Sequence, residues 1–457
     1  MDIQSYLQPE TWKIILTDLA DSSSELTIKL IAQLYSWLDW LYLNLFHFLL
    51  DFAFFYPLFM AYLWIIGALI YYFHWERKDP YKEGEIPKLA HYPAVSIVVP
   101  CHNEGDNVKE TIEFLLQQNY PAFDIIAVND GSTDNTLEIL NSLAESHDKI
   151  RVINLTSNQG KAAALNTAAL LSPHEFLVCI DGDALLAPEA VAWMMKHFMT
   201  GSRVGAVTGN PRIRTRTTLL GKIQVGEFSA IIGLIKRAQR IYGRVFTVSG
   251  VVAGFRKSAL HRVGYWSNDM VTEDIDISWK LQLDHWDVRY EPNALCWILM
   301  PETLTGLWKQ RLRWAQGGME VLLKYFKKLG LWVSRRMWMV YLEYLISIFW
   351  AYTMVITFTL WALGYFVDLP EPLKVPTLLP SWGGVLLGLT CLLQFAISLF
   401  IDGRYERGIG KNYFWVIWYP MIYWIISVFT TVFGMLKAIS KKKGKRATWV
   451  SPDRGVR

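Results

Sequence analysis

Phe176-Leu177-Val178-Cys179-Ile180-Asp181-Gly182-Asp183-Ala184 is the stretch whose reading decides the fold. Five strand-forming apolar residues run straight into two acids separated by one glycine. An unbroken apolar run of this length marks a strand buried on both faces, as in parallel sheets. It delivers two carboxylates to a turn at its C-terminal edge, where open α/β sheets bind their ligands. Asp-x-Asp suits a hard divalent cation that keeps several waters and bridges a diphosphate. A plain surface turn accounts for an isolated Asp-Gly-Asp at least as well, because both residue types favour turns. The rest of the chain has to decide.

Outward from this strand the pattern repeats. Strands are expected at Val95–Pro100, Phe123–Val128 and Ile150–Asn154, with helices at Asp106–Gln118, Thr136–His147 and Lys161–Leu171. This β-α-β-α alternation with short connections predicts a mostly parallel sheet covered on both sides, extending over residues 94–330.

Beyond that region the chain is apolar. Its 457 residues include 21 Trp, 22 Tyr and 23 Phe, and its mean hydropathy is +0.20. A soluble domain joined to transmembrane helices fits both the apolarity and the 19% charged residues. Residues 1–78 read as an N-terminal membrane region with spans at 28–50 and 52–73, the first of which, with Asp39 inside it, also reads as an interfacial helix. The flank His74-Trp75-Glu76-Arg77-Lys78 marks a cytoplasmic exit. Residues 335–440 read as a C-terminal membrane region, with spans near 340–366, 382–401 and 413–437. Asp368-Leu369-Pro370-Glu371-Pro372 suits an outside loop, and Asp402 through Lys411 an inside one. The tail 441–457 opens with Lys441-Lys442-Lys443-Gly444-Lys445-Arg446 and also belongs inside. Three C-terminal spans that start inside end outside, so parity conflicts with charge; Pro420 offers a break that makes a re-entrant or hairpin segment. Asp2 and the lack of a basic n-region argue against a cleaved signal peptide. Cys101, Cys179, Cys296 and Cys391 show neither disulfide nor zinc spacing, as in a reducing compartment. The net charge of +4 is modest, and no nucleic-acid-binding module is visible.

Three further motifs join Asp181-Gly182-Asp183. Asn129-Asp130-Gly131-Ser132-Thr133-Asp134 follows a strand; Asp130 suits a ribose or base edge, while Ser132 or Asp134 suits a helix cap. Thr272-Glu273-Asp274 opens a helix, as a capping turn or as the seat of a general base. Gln310-Arg311-Leu312-Arg313-Trp314 offers a guanidinium for phosphate and an indole face for a sugar, or the basic flank of an interfacial helix.

Taken together and in this order, these motifs, with Val98-Val99-Pro100-Cys101-His102-Asn103-Glu104, resemble those of the membrane-integrated processive family 2 glycosyltransferases. Within them the stretches Val207–Arg216, Gly221–Glu227, Tyr265–Met270, Trp297–Thr303 and Trp449–Gly455 resemble the bacterial biofilm poly-β-1,6-N-acetyl-D-glucosamine synthases. The Arg212-x-Arg214-x-Arg216 run does not match the gating-loop pattern of cellulose synthases. The resemblance implies an α/β, GT-A-like glycosyltransferase domain inserted between N- and C-terminal transmembrane helices. It implies an inverting polymerase in the bacterial inner membrane, with a cytoplasmic catalytic domain, that makes poly-β-1,6-N-acetylglucosamine from UDP-GlcNAc and couples synthesis to export.

Site roles follow from the resemblance. Asp130 and Lys161 hold the uridine end, although Lys161 also reads as a solvated helix-start lysine. Asp181 and Asp183 carry Mg2+ or Mn2+ on the diphosphate, where Gln310 and Arg313 add to donor binding. Asp274 is the catalytic base. Trp314, Glu273, Ser249 and Gly250 face the acceptor, with an ordinary strand-end turn as the alternative for the last two. The family also implies a small membrane partner subunit of the PgaD type and cyclic di-GMP as an activator. The basic tail and Arg454 fit a part in such a site or a simple positive-inside anchor. Rival readings are a chitin- or hyaluronan-type synthase and a non-catalytic membrane scaffold or transporter.

Overall fold

The computed structural model describes residues 25–79, 83–370, 373–375, 382–442, 444 and 446–447. Glu371, Pro372, Lys443, Lys445, Arg454 and the stretch Trp449–Gly455 lie outside the described residues. The chain divides into two compact units, Met1–Phe59 with Phe349–Leu387, and Met60–Ile348 with Gly388–Arg457.

The second unit contains one eight-stranded sheet. Its strands are β1 (Val95–Cys101), β2 (Phe123–Asp130), β3 (Ile150–Leu155), β4 (Phe176–Ile180), β5 (Leu185–Leu186), β6 (Val204–Ile213), β7 (Val252–Arg256) and β8 (Asp287–Ile298). They lie in the order β3-β2-β1-β4-β7-β6-β8-β5. The pairs β1–β2, β2–β3, β1–β4 and β6–β8 are parallel, whereas β7 and β5 run antiparallel to their neighbours. The expected mostly parallel sheet is present.

Every residue of β1 and β4 is buried, which is why both read as unbroken apolar runs. Alternate β1 side chains feed two cores. Ile97 and Val99 join Ile112, Leu115 and Leu140 on one face, and Val98 joins Ala164, Leu165 and Ile277 on the other. Each fully buried aliphatic side chain contributes about 1.5–3 kcal/mol. From β1 the chain winds one way through β2 and β3, while β4 lies on its other side. This divergence opens a crevice beyond the C-terminal ends of β1 and β4, the place for ligands in such sheets. Asp181 follows β4 at that crevice.

The helices are α1 (Glu25–His74), α2 (Val108–Leu115), α3 (Thr136–Ser146), α4 (Lys161–Leu171), α5 (Ala190–Thr200), α6 (Leu219–Glu227), α7 (Ile235–Tyr242), α8 (Lys257–Val263), α9 (Glu273–Leu283), α10 (Leu304–Leu329), α11 (Trp338–Leu363), α12 (Trp382–Asp402) and α13 (Tyr419–Ser440). A π-helical stretch, Phe228–Leu234, joins α6 to α7. Four segments among the described residues are long and apolar enough to cross a membrane: Phe48–Lys78, Trp332–Leu363, Gly383–Asp402 and Tyr423–Ser440. The expected spans at 28–50 and 52–73 fall on one continuous helix, α1. In the first unit that helix meets α11 through Trp350, whose indole N–H donates to the Ala53 carbonyl at 3.0 Å.

The α13 helix bears on the conflict between parity and charge. Pro420 sits in its first turn, where a missing N–H costs nothing, so proline starts this helix instead of breaking it. Near that start the Tyr423 hydroxyl donates to the Leu220 carbonyl at 3.5 Å. Just past its end, Lys441 donates to Glu320 at 2.8 Å and to the Asp269 carbonyl. Gly434, between them, packs on Ala315 of α10. Both ends of the helix thus meet the same domain.

Buried charge ties this unit together. Arg237 donates to Glu76 at 2.7 and 2.9 Å and pairs with Asp402 at 3.0 Å. Arg212 pairs with Asp402 at 2.6 Å and Glu406 at 3.0 Å, and Arg216 also pairs with Glu406. Arg214 turns outward to Glu110. Arg212 and Arg216 of the Arg212-x-Arg214-x-Arg216 run are therefore partners of acids that end or follow a membrane-length helix.

Candidate active site

Of the expected acids, Asp181, Glu273 and Asp274 converge, around Lys161 and Gly250. Lys161 opens α4 and reaches across the crevice. Its ammonium lies 2.5 Å from Asp181, 3.4 Å from Glu273 and 3.1 Å from the Gly250 carbonyl. Burial works against its charge, but Asp181, Glu273 and Asp274 hold the Lys161 ammonium above its usual range. The Gly250 amide in turn donates to Asp274 Oδ2 at 3.2 Å. A Cβ at position 250 would sit 3.0 Å from that same oxygen, so any side chain here would push the carboxylate by a few tenths of an ångström.

Asp274 lies in the first turn of α9. Its Oδ1 accepts from the Ile275 amide at 2.9 Å. Burial first, and the neighbouring Glu273 charge second, push its carboxyl up to about 6, against the pull of Lys161, the Ile275 amide and Arg313. That is the range in which a carboxylate serves as a base near neutral pH. Thr272 precedes the helix at the N-cap position, but its hydroxyl makes no capping bond. The capping explanation therefore keeps the position of Thr272 and the acids of the first turn but not a bond from the hydroxyl.

Asp130 is fully buried. Its two oxygens accept from the Gln159 and Gly160 amides, both at 2.8 Å, so it braces the loop that leads into Lys161. Gly160 has a φ of +92°, and the Ala447 carbonyl of the tail lies against it. The Ala447 amide donates to the Asn268 carbonyl at 3.0 Å, so the start of the tail runs beside this loop.

Asp181 and Asp183 follow β4 in a turn. Burial first, then these and other carboxylates, push the thiols of Cys101 and Cys296 well above their ordinary range. The acid pair thus creates a negative field in a buried setting. All four cysteines are buried and free.

Helix α10 carries the remaining predicted residues. Arg313 is exposed, and its charge reaches Asp274. Gln310 is turned aside: its amide N–H points at Met300 Sδ, 3.6 Å away. The Trp314 ring is covered on one face by the Arg311 guanidinium, 4.3 Å from its centroid. Arg311 itself pairs with Glu227 at 2.6 Å.

Two contributors were not singled out from sequence. Ser249, expected at the acceptor path, accepts from Lys236 at 2.6 Å and donates its amide to Thr208 at 2.8 Å. Burial pushes the Lys236 ammonium down to about 7. Asp276 is fully buried and accepts from Lys324 at 2.7 Å and the Tyr325 hydroxyl at 2.8 Å, which fastens α9 to α10. No motif pointed to Lys236. Asp276 was visible only as the last acid of Glu273-Asp274-Ile275-Asp276.

The fold and this crevice define a family 2 glycosyltransferase with a GT-A-like domain: the model of that family, Glycosyl transferase family 2, matches residues 96–264. A mannosyltransferase from Pyrobaculum calidifontis, solved in complex with GDP-Man and Mn2+, shares the fold, with a TM-score of 0.52, 20% identity, and coverage of 86% of this chain and 100% of that one. A poly-β-1,6-N-acetyl-D-glucosamine synthase of Staphylococcus epidermidis is 40% identical over 413 residues, covering 89% of this chain and 98% of the relative. One from Staphylococcus aureus is 40% identical over 405 residues, with 89% and 98% covered. The chain belongs to the poly-β-1,6-N-acetyl-D-glucosamine synthases, glycosyltransferases that act on N-acetylglucosamine.

Proposed function

We propose that this enzyme is a processive, inverting transferase that polymerises N-acetylglucosamine from UDP-GlcNAc into a β-1,6-linked chain and couples elongation to export across the bacterial inner membrane, for a biofilm matrix. The convergence at Gly250 carries the reading. One glycine peptide offers its N–H to Asp274 and its carbonyl to Lys161, which holds Asp181 and Glu273. Base, cation and diphosphate-side acid thereby meet around a single turn.

The donor set fits a divalent ion. Asp181 and Asp183 are hard oxygen ligands in a negative field, and among the described residues no cluster of three or more His, Cys, Asp or Glu forms an all-protein cage. Mg2+ or Mn2+, which completes its sphere with phosphate oxygens and water, suits such a pair. Bound there, the ion supplies charge neutralisation for the departing UDP.

Asp274 takes the proton from the acceptor hydroxyl as that oxygen attacks the anomeric carbon and the bond to UDP breaks. Direct displacement converts an α-linked donor into a β-linked product without a covalent enzyme intermediate. Arg313, with Gln310 after a rotamer change, faces the diphosphate. Asp130 acts on the uridine end through the loop it braces, and Lys161 keeps that loop and Asp181 in register. Trp314 stacks on the terminal acceptor sugar with its uncovered face, and Ser249, Gly250 and Glu273 line the acceptor path. The membrane-length helices beside this domain support export of a hydrophilic polymer through about 30 Å of hydrocarbon. A PgaD-type partner and cyclic di-GMP belong to the same proposal.

The test is UDP release from UDP-GlcNAc in membranes that contain the partner and cyclic di-GMP. Wild type releases UDP, and Asp183→Ala and Asp274→Asn do not. The polymer is then treated with a hexosaminidase specific for β-1,6 linkages; a product that resists digestion overturns the assigned linkage.

A further inference from the structure

A cleft of about 610 Å3 in the second unit is lined by Arg203, Arg244, His285, Asp287, Arg335 and Arg336, with Val333 beside them. The acid is already shared. Asp287 pairs with Arg240 at 2.9 Å, Arg289 at 2.8 Å and Arg244 at 3.6 Å. Arg203 donates to the His285 carbonyl at 3.3 Å and Arg335 to the Trp332 carbonyl at 3.4 Å. Among the described residues, no carboxylate pairs with Arg203, Arg335 or Arg336. Burial, partly offset by Asp287, pushes the Arg244 guanidinium below its ordinary range, and Arg240, Arg336 and Arg203 add to the push. Four guanidiniums thus converge with one overcommitted acid.

Val333 is the apolar residue of the lining, and Leu331 and Trp332 precede it in the chain. Leu331, Trp332 and Val333 are 59%, 68% and 62% exposed. They stand where the segment Trp332–Leu363, long and apolar enough to cross a membrane, begins. A basic flank to such a helix is ordinary, and alone it explains Arg335 and Arg336. It does not explain why Arg203, before β6, and Arg244, after α7, face the same cleft. Guanidinium forks match phosphate oxygens, and indole rings favour the membrane interface.

We propose that this cleft binds the phosphodiester headgroup of an acidic membrane phospholipid, with Arg203, Arg244, Arg335 and Arg336 on the phosphate and Leu331, Trp332 and Val333 against the acyl chains. The site is separate from the acidic crevice and does not depend on which sugar is polymerised.

The test titrates the full-length protein, in detergent, with phosphatidylglycerol and with phosphatidylcholine, and reads bound lipid by native mass spectrometry. Phosphatidylglycerol should bind more tightly. Charge near the membrane surface acts additively, so Arg335→Gln with Arg336→Gln should weaken phosphatidylglycerol by roughly ten- to thirty-fold and leave phosphatidylcholine unchanged. Arg203→Gln, at an exposed position on the domain side, should weaken it by about five-fold. The double variant is checked by its unfolding temperature and UDP release, which should match wild type. Equal affinity for the two lipids overturns the proposal. So does an effect of the double variant with none from Arg203→Gln, which reduces the feature to a basic flank. A third arm uses free cyclic di-GMP; if it binds with the same arginine dependence while phosphatidylglycerol does not, the ligand is a soluble nucleotide and the lipid assignment falls.

Discussion

Asp274 is tuned by opposing neighbours. Burial and Glu273 favour its protonated form, and Lys161 and Arg313 favour the carboxylate. A base must be ionised to work, so turnover should be level above about pH 6 and fall about tenfold per unit below it. A pH–rate profile in membranes checks this, and a profile without an acid limb removes Asp274 as the base. Lys161→Met deletes a charge that favours the carboxylate, so the limb should move to higher pH as the rate drops. Asp274→Asn should cost on the order of 10²–10⁴ in turnover with folding intact. Gly250→Ala places a methyl group 3.0 Å from Asp274 Oδ2. It should lower turnover while leaving the unfolding temperature close to wild type, because the methyl group meets the acid and no core side chain.

Among the elements, α9 and α10 act as a pair because Asp276 bonds Lys324 and Tyr325 across them. Asp276→Asn weakens both bonds inside the protein and should cost about 1–3 kcal/mol, read as a lower unfolding temperature in detergent. The α13 helix makes a topological prediction. A reporter protein fused after the tail should lie on the same side of the membrane as one inserted between residues 80 and 94. Opposite sides would mean that α13 crosses. Hydropathy alone suggested a crossing, and α13 does leave Ile425, Phe433, Leu436 and Ile439 exposed while it packs along α10. The contacts of Tyr423 and Lys441, which separate the two cases, pair residues about 200 and 121 positions apart or more. No local pattern carries that information. The strands were legible for the opposite reason: a buried parallel strand is written in five consecutive apolar residues, as at Phe176–Ile180. The acids of the crevice were legible because each ends a strand or begins a helix. Lys236 and Arg311 were not, since a lone cation on a helix reads as solvated until its partner is seen.

Across the whole second unit, the network of Glu76, Arg212, Arg237, Asp402 and Glu406 joins the ends of membrane-length segments to β6 and α7. Asp402→Asn leaves Arg212 and Arg237 short of a partner in a buried setting, at a cost of about 3–5 kcal/mol. The variant should accumulate poorly and unfold at lower temperature, whereas Arg214→Gln, at a partly exposed pair, should behave like wild type.

Lys236 and Arg237 are neighbours on α7, yet they hold different things. Lys236 bonds Ser249 at the turn that holds Gly250, and Arg237 bonds Glu76 and Asp402 at the ends of membrane-length segments. In the proposed polymerisation, a chain pushed forward one sugar at a time would exert an equal recoil on the turn beside its end. Through this adjacent pair the recoil would pass along two side chains of one helix to the ends of the membrane-length segments. The load of the proposed elongation would then fall on a strut two residues wide.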